Sequence, residues 1–144
     1  MTATLDTNVL LYASDESSSF HARATGLLEA LASGPDLVYL LWPVALGYLR
    51  IATHPTIFHR PLSAAEAMSN VQDLISRPHV RTCGEADGFW DVLQRVAAGT
   101  PLRGNLVPDA HIVALMQQHG VSTIWSHDRD LLKFPGITVR DPFA

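Results

Sequence analysis

Hydrophobic positions along the chain follow two spacings in alternation. Short apolar runs of strand length, Thr2 to Leu5, Leu37 to Leu41, His79 to Cys83, Val121 to Ser126 and Ile137 to Val139, each stop at polar or turn-forming residues. Between them the spacing becomes helical. Val9-Leu10-Leu11-Tyr12 continues the first strand as a helical turn behind an N-cap-like Thr7-Asn8 pair. Phe20, Ala24, Leu27, Leu28 and Leu31 predict a helix that Ser19 can cap and Gly34-Pro35 ends. Pro43 restarts a helix over Val44 to about Thr53, closed by His54-Pro55. Ser63 and Glu66 carry the signature of a capping box ahead of Ala67, Met68, Val71, Leu74 and Ile75, and Pro78 stops that helix. Glu85 to Ala98 reads as a helix with Phe89, Leu93, Val96 and Ala97 inward. Strands alternating with helices predict a three-layer α/β/α architecture, with a central, mainly parallel sheet of about four to five strands.

Asn105 to Asp130 is the densest part of this pattern. Pro108 suits a first helical position and Gly120 the residue just past a helix end, so Val107 to His119 is predicted as one helix. Its apolar residues run nearly all the way round, as in a helix packed on several sides. The following strand stops abruptly at His127-Asp128-Arg129-Asp130. In a parallel sheet, helix N-termini and strand C-termini share one edge, where open α/β sheets bind ligands at the point of strand-order reversal. If the first strand and the Val121 strand are neighbours there, Asp6, Asp109 and Asp128 converge.

Length fits a single domain spanning 1–144. The lone cysteine, Cys83, cannot form an internal disulfide and points to a reducing compartment. With no signal-peptide pattern, and an apolar stretch from Leu37 to Leu49 broken by Pro43 and Gly47, a cytoplasmic protein is expected. A net charge of −4 argues against holding nucleic acid by bulk electrostatics, but not against an enzyme that meets a polyanion through metal and a local basic patch.

Clustered carboxylates repel: two unit charges about 4 Å apart cost about 4 kcal/mol at an effective dielectric near 20. Such a cluster needs protons or a hard cation, and Mg2+ or Mn2+, which take oxygen ligands and keep several waters, suit few protein carboxylates. Each acid also has a structural reading, since Asp109 favours a helix N-terminus and Asp128 can cap the Leu131 turn. Asp6 has no capping duty that Thr7 or Asn8 could not perform. His111 and His127 lie near acids without zinc spacing, and no phosphate loop or nucleophile elbow is present. Cys83 reads as packed, and Trp42, Trp90 and Trp125 as core. Arg50, His54, His59 and Arg60 read equally as a phosphate-contacting patch or as a solvated rim.

Nearly the whole chain resembles a PIN domain, and more narrowly the VapC toxin family of bacterial toxin–antitoxin pairs. The blocks that carry the resemblance are Leu5-Asp6-Thr7-Asn8, Phe20-His21-Ala22-Arg23-Ala24, Leu49 to Pro55, Gly104 to His111, and Ser126-His127-Asp128-Arg129-Asp130-Leu131 with Phe134-Pro135-Gly136. The resemblance implies a Mg2+- or Mn2+-dependent endoribonuclease acting on tRNA or other structured RNA, usually a homodimer, neutralised by a small VapB-like antitoxin. By motif match, Asp6, Asp109 and Asp128 fall on the family's acidic positions. Asp130 would be a further metal residue, Asn8 and Asn105 supporting polar groups, and Arg50 and Arg60 RNA contacts. One departure stands out: where most members have a glutamate three residues before such an arginine, this chain has Gly47. A glycine supplies no ligand and costs a helix about 1 kcal/mol relative to alanine. The alternative function is therefore a PIN-fold module that binds RNA or protein with weak or no cleavage.

Overall fold

A strand buried on both faces belongs at the centre of a parallel sheet. Ala3–Leu5 (β1) is such a strand, every residue of it being buried. The computed structural model describes residues 2–144. After β1 come α1 (Thr7–Ala13), α2 (His21–Ser33), β2 (Val38–Leu41), α3 (Trp42–Ala52), α4 (Ala64–Ile75), β3 (Val80–Cys83), α5 (Phe89–Gly99), α6 (Leu106–Gln118) and β4 (Thr123–Trp125). A short 3₁₀ helix (Arg129–Lys133) and β5 (Thr138–Arg140) complete the sequence of elements. Among the described residues the sheet has five strands in the order β3-β2-β1-β4-β5. Every pairing is parallel. The expected three-layer α/β/α architecture is therefore present, with the sheet wholly parallel.

Order reverses at β1: the chain leaves it toward β2 and β3 on one side and returns on the other to β4 and β5. Leu5 is in register with Trp125, so the residues that follow them, Asp6 and Ser126, emerge side by side at the carboxyl edge. α6 lies against α5. Its Ala110 and Ile112 to Met116 are buried, as the all-round apolar pattern requires. The Ser63–Glu66 capping box forms as expected.

Several boundaries differ from the sequence expectation, each for a local reason. Asp6 does cap a helix, because its Oδ1 accepts the Thr7 N–H at 2.8 Å. Ser19 does not cap α2; the Ser18 Oγ accepts the Phe20 N–H instead, at 3.1 Å. α5 starts at Phe89, not Glu85, because Gly88 takes φ +82° and breaks the helical path before it. Pro108 is the third residue of α6, still inside the turn whose N–H groups have no helical partner. Trp42 and Trp90 are not core residues: they are 43% and 66% exposed. On α5 the inward face is taken by Phe89, Val92, Leu93 and Val96, which leaves Trp90 turned outward. No helix among the described residues is long and apolar enough to cross a membrane.

Gly47 has a packing role in this fold. A Cβ placed on it would lie 3.1 Å from the Thr7 Oγ1. That hydroxyl donates to the Val44 carbonyl at 3.2 Å and so joins α1 to α3. Gly47→Ala should therefore gain less than the roughly 1 kcal/mol of helix propensity expected for the change. The full gain should reappear when Thr7→Ala removes the obstructing side chain. A double-mutant cycle of thermal unfolding measures this, and additive effects would show that the two residues do not meet.

Candidate active site

The site is built where β1, β4 and the start of α6 meet. Parallel pairing places Asp6 beside Ser126, and the Ser126 Oγ donates to the Asp6 Oδ2 at 2.8 Å. The same oxygen accepts the Asn8 Nδ2 at 3.2 Å and the Asp128 N–H at 2.9 Å. A hydroxyl has one proton and two lone pairs, so Ser126 is fully used. Asn8 in turn accepts the His127 N–H at 3.3 Å through its Oδ1. One buried serine thus ties together the two strand ends and two of the expected acids.

The carboxylates gather around this tie. Oxygens of Asp109, Asp128 and Asp130 lie within 4.8 Å of one another. Asp128 also caps the 3₁₀ helix, accepting the Asp130 N–H at 2.9 Å. Asp130 is paired with Lys133 at 3.0 Å. Asp109 is the residue with least compensation: it is 7% exposed, and its buried Oδ2 has no hydrogen-bond partner. Burial, followed by the charges of Asp128, Asp6 and Asp130, pushes its carboxyl up to about 7, opposed by Lys133. Burial likewise raises Asp6, against the lowering effect of its bonds from Ser126 and Thr7, and Asp128 adds to the rise. The arrangement holds more negative charge than its protein partners neutralise.

The expected residues divide cleanly. Asp6, Asp109, Asp128 and Asp130 come together, and Asn8 supports them. Asn105, at the start of α6, is exposed and makes no side-chain capping bond. Arg50 is exposed in the last turn of α3, eight residues or about 12 Å of helix beyond the carboxyl edge. Arg60 lines a recess with Ser14 to Ser17, beyond the far end of α1. Neither side chain is hydrogen-bonded or ion-paired to the acids. Ser126 was not anticipated, although it ends an apolar strand just as Asp6 does. His111 pairs with Glu85, and His127 with Asp141, so both histidines already have carboxylate partners.

This fold and this edge of acids define the class. The PIN domain family model matches residues 3–137, and the chain belongs to that family. Within it the chain is similar to Ribonuclease VapC48 of Mycobacterium tuberculosis, with 58% identity over 144 residues, covering 100% of this chain and 99% of the relative. Ribonuclease VapC37 of the same organism is 34% identical, covering 97% of this chain and 96% of the relative. Among solved structures, Mycobacterium tuberculosis VapC20, described as a sarcin-ricin loop cleaving toxin, superposes with a TM-score of 0.69 at 18% identity. That match covers 96% of this chain and 99% of the other, and shows the shared fold.

Proposed function

We propose that this chain is a metal-dependent endoribonuclease toxin that hydrolyses RNA phosphodiester bonds. The observation that carries the reading is the orphaned, buried Asp109 Oδ2 inside a cluster of four carboxylates with one lysine. An all-oxygen donor set of this charge fits a hard divalent cation such as Mg2+ or Mn2+. Asp109, Asp128 and Asp130 would hold it, with Asp6 beside them. When bound, a divalent cation supplies Lewis acidity toward a phosphoryl oxygen and toward water.

The chain's own residues do the rest. Ser126 and the Thr7 amide occupy one oxygen each of Asp6, which fixes the rotation of its carboxylate. Asp128 is held by its own N–H to Ser126 and by the Asp130 amide on its Oδ1. The acids are thus preorganised before RNA arrives, and no reorganisation is needed as charge builds on the phosphate. The names of the 58% and 34% identical relatives support ribonuclease activity. The resemblance to toxin–antitoxin proteins supports a VapB-like antitoxin as partner and a cytoplasmic site of action. A homodimer has an apolar strip available on α3, where Trp42 and Leu46, one turn apart, are 43% and 61% exposed.

The test is incubation of the purified chain with a tRNA pool and with total RNA, with Mg2+ or Mn2+, with EDTA, and with added antitoxin. Discrete fragments are expected with metal, and none with EDTA or antitoxin. A second reading is favoured by one observation, the glycine at position 47: an RNA-binding module without turnover. Retention of RNA in a gel-shift assay without metal-dependent fragments, from folded and antitoxin-free protein, would establish it instead.

A further inference from the structure

The last described residues, which lie beyond the final strand, are tied into the site. The Asp141 carboxylate meets the His127 Nδ1 at 3.1 and 3.0 Å through its two oxygens. It also accepts the Phe143 N–H at 2.8 Å. Phe143 is buried and stacks on Phe20, with centroids 4.5 Å apart and planes at 15°. Its ring meets Tyr12 and His127 edge-on at 5.1 and 5.4 Å. The Arg23 Nη1 donates to the Phe143 carbonyl at 3.2 Å, which anchors the tail to α2.

From His127 the bonds run inward without a gap. The His127 N–H reaches Asn8, Asn8 reaches Ser126, and Ser126 reaches both Asp6 and the Asp128 amide. On its outer side the turn that carries Asp128 is held through the His127 ring, which packs edge-on against Phe20, Tyr12 and Phe143 and takes its polar contacts from Asp141. We infer that Asp141, seated by Phe143, is a positioning residue that sets the His127-Asp128 turn and thereby the placement of the Asp6 and Asp128 carboxylates. The Asp141 carboxyl is itself well anchored: although burial raises it, the Phe143 amide, His127 and Arg129 together hold it below the usual range. Partners bonded directly to metal-holding groups commonly change metal affinity by about 10- to 100-fold when removed; Asp141 acts through His127 and stands further out, so a smaller change follows.

The inference rests on the metal-dependent reading for its kinetic consequence, and on hydrogen exchange for a consequence independent of metal. Asp141→Ala is expected to lower Mn2+ affinity by up to about tenfold, measured by the EPR signal of free Mn2+. It should lower kcat with KM changed less than about twofold, and speed exchange of the His127 and Asp128 amides about tenfold or more. Asp141→Asn, which keeps an oxygen for both the Phe143 N–H and a His127 Nδ1–H, should restore all three. If Asp141→Ala does not fold, a chain ending at Pro142 removes the Phe143 anchor and should shift affinity and exchange in the same direction. A folded variant with wild-type Mn2+ affinity and wild-type amide protection overturns the inference. If the unaltered chain binds no Mn2+, the metal reading fails on its own, and unchanged exchange in Asp141→Ala would still overturn the positioning role.

Discussion

Replacing Asp109 by Asn should leave the protein more stable at pH 8 without metal and nearly inert toward RNA. Asp109 carries a carboxyl raised from 3.8 to about 7, first by burial and then by Asp128, Asp6 and Asp130. Because the folded state binds its proton more tightly than the unfolded chain does, its contribution is fully favourable below about pH 4 and declines as pH rises toward 7. The opposition to folding builds at about 1.4 kcal/mol per pH unit between about pH 4 and pH 7, and above pH 7 it stands constant at up to about 4 kcal/mol. Asparagine carries no charge, so in EDTA at pH 8 Asp109→Asn should raise the unfolding temperature by several degrees, and near pH 4 it should raise it little. Adding Mg2+ or Mn2+ at pH 8 should stabilise the parent chain and leave the variant almost unmoved, because a ligand stabilises only the state that binds it. Cleavage should fall about a thousandfold, since the remaining carboxylates lose the buried oxygen that is otherwise without a partner. Calorimetry at both pH values and fragment yields on RNA give the two halves of this expectation. A variant no more stable than the parent in EDTA at pH 8 would show that Asp109 is not strained by its surroundings.

That trade of stability for function was partly visible in the sequence, because several acids fall just after apolar runs, although Asp6 and Asp128 also cap the helices that follow them. Asp6 and Asp128 stand at strand ends and Asp109 in a first helical turn, and parallel topology brings such positions to one edge. Spacing alone reached that far. What it missed depends on register and on distances through space. Ser126 becomes the central tie only because Leu5 pairs with Trp125, and no local pattern distinguishes it from an ordinary strand-ending serine. Arg50 follows closely after the second strand in sequence, and only the course of α3 shows how far from the carboxyl edge it stands. The start of α5 was misplaced because the backbone at Gly88, not the apolar periodicity, decides where that helix begins. Asp141 lies 14 residues from His127, and only the return of the chain through β5 brings them together. Gly47 read as a missing ligand; in three dimensions it is also a place where a side chain on α3 would crowd Thr7.

Ser126→Ala is expected to damage both stability and turnover, in contrast to Asp109→Asn. Ser126 is 1% exposed, and its oxygen serves three partners at once. Removing it leaves the Asn8 amide, the Asp128 N–H and one Asp6 oxygen without their bonds in a site already short of partners. Each buried polar group so stranded costs about 1–3 kcal/mol, although water entering the space left by the hydroxyl will satisfy some of them. A loss of about 2–4 kcal/mol follows, large against a typical total of about 5–15 kcal/mol. The Asp6 carboxyl also loses a donor that lowers its pKa, so it should rise further and hold its proton to higher pH. Cleavage should drop by about 10- to 100-fold, and the acidic limb of its pH profile should move upward, because Asp6 holds its proton to higher pH. Ser126→Thr, which keeps the hydroxyl, should fall between the parent and Ser126→Ala on both measures. Equal pH profiles for Ser126→Ala and the parent would place the serine outside the electrostatics of the site; a profile moved toward alkaline pH would identify its hydroxyl as a group that favours the ionised form of Asp6.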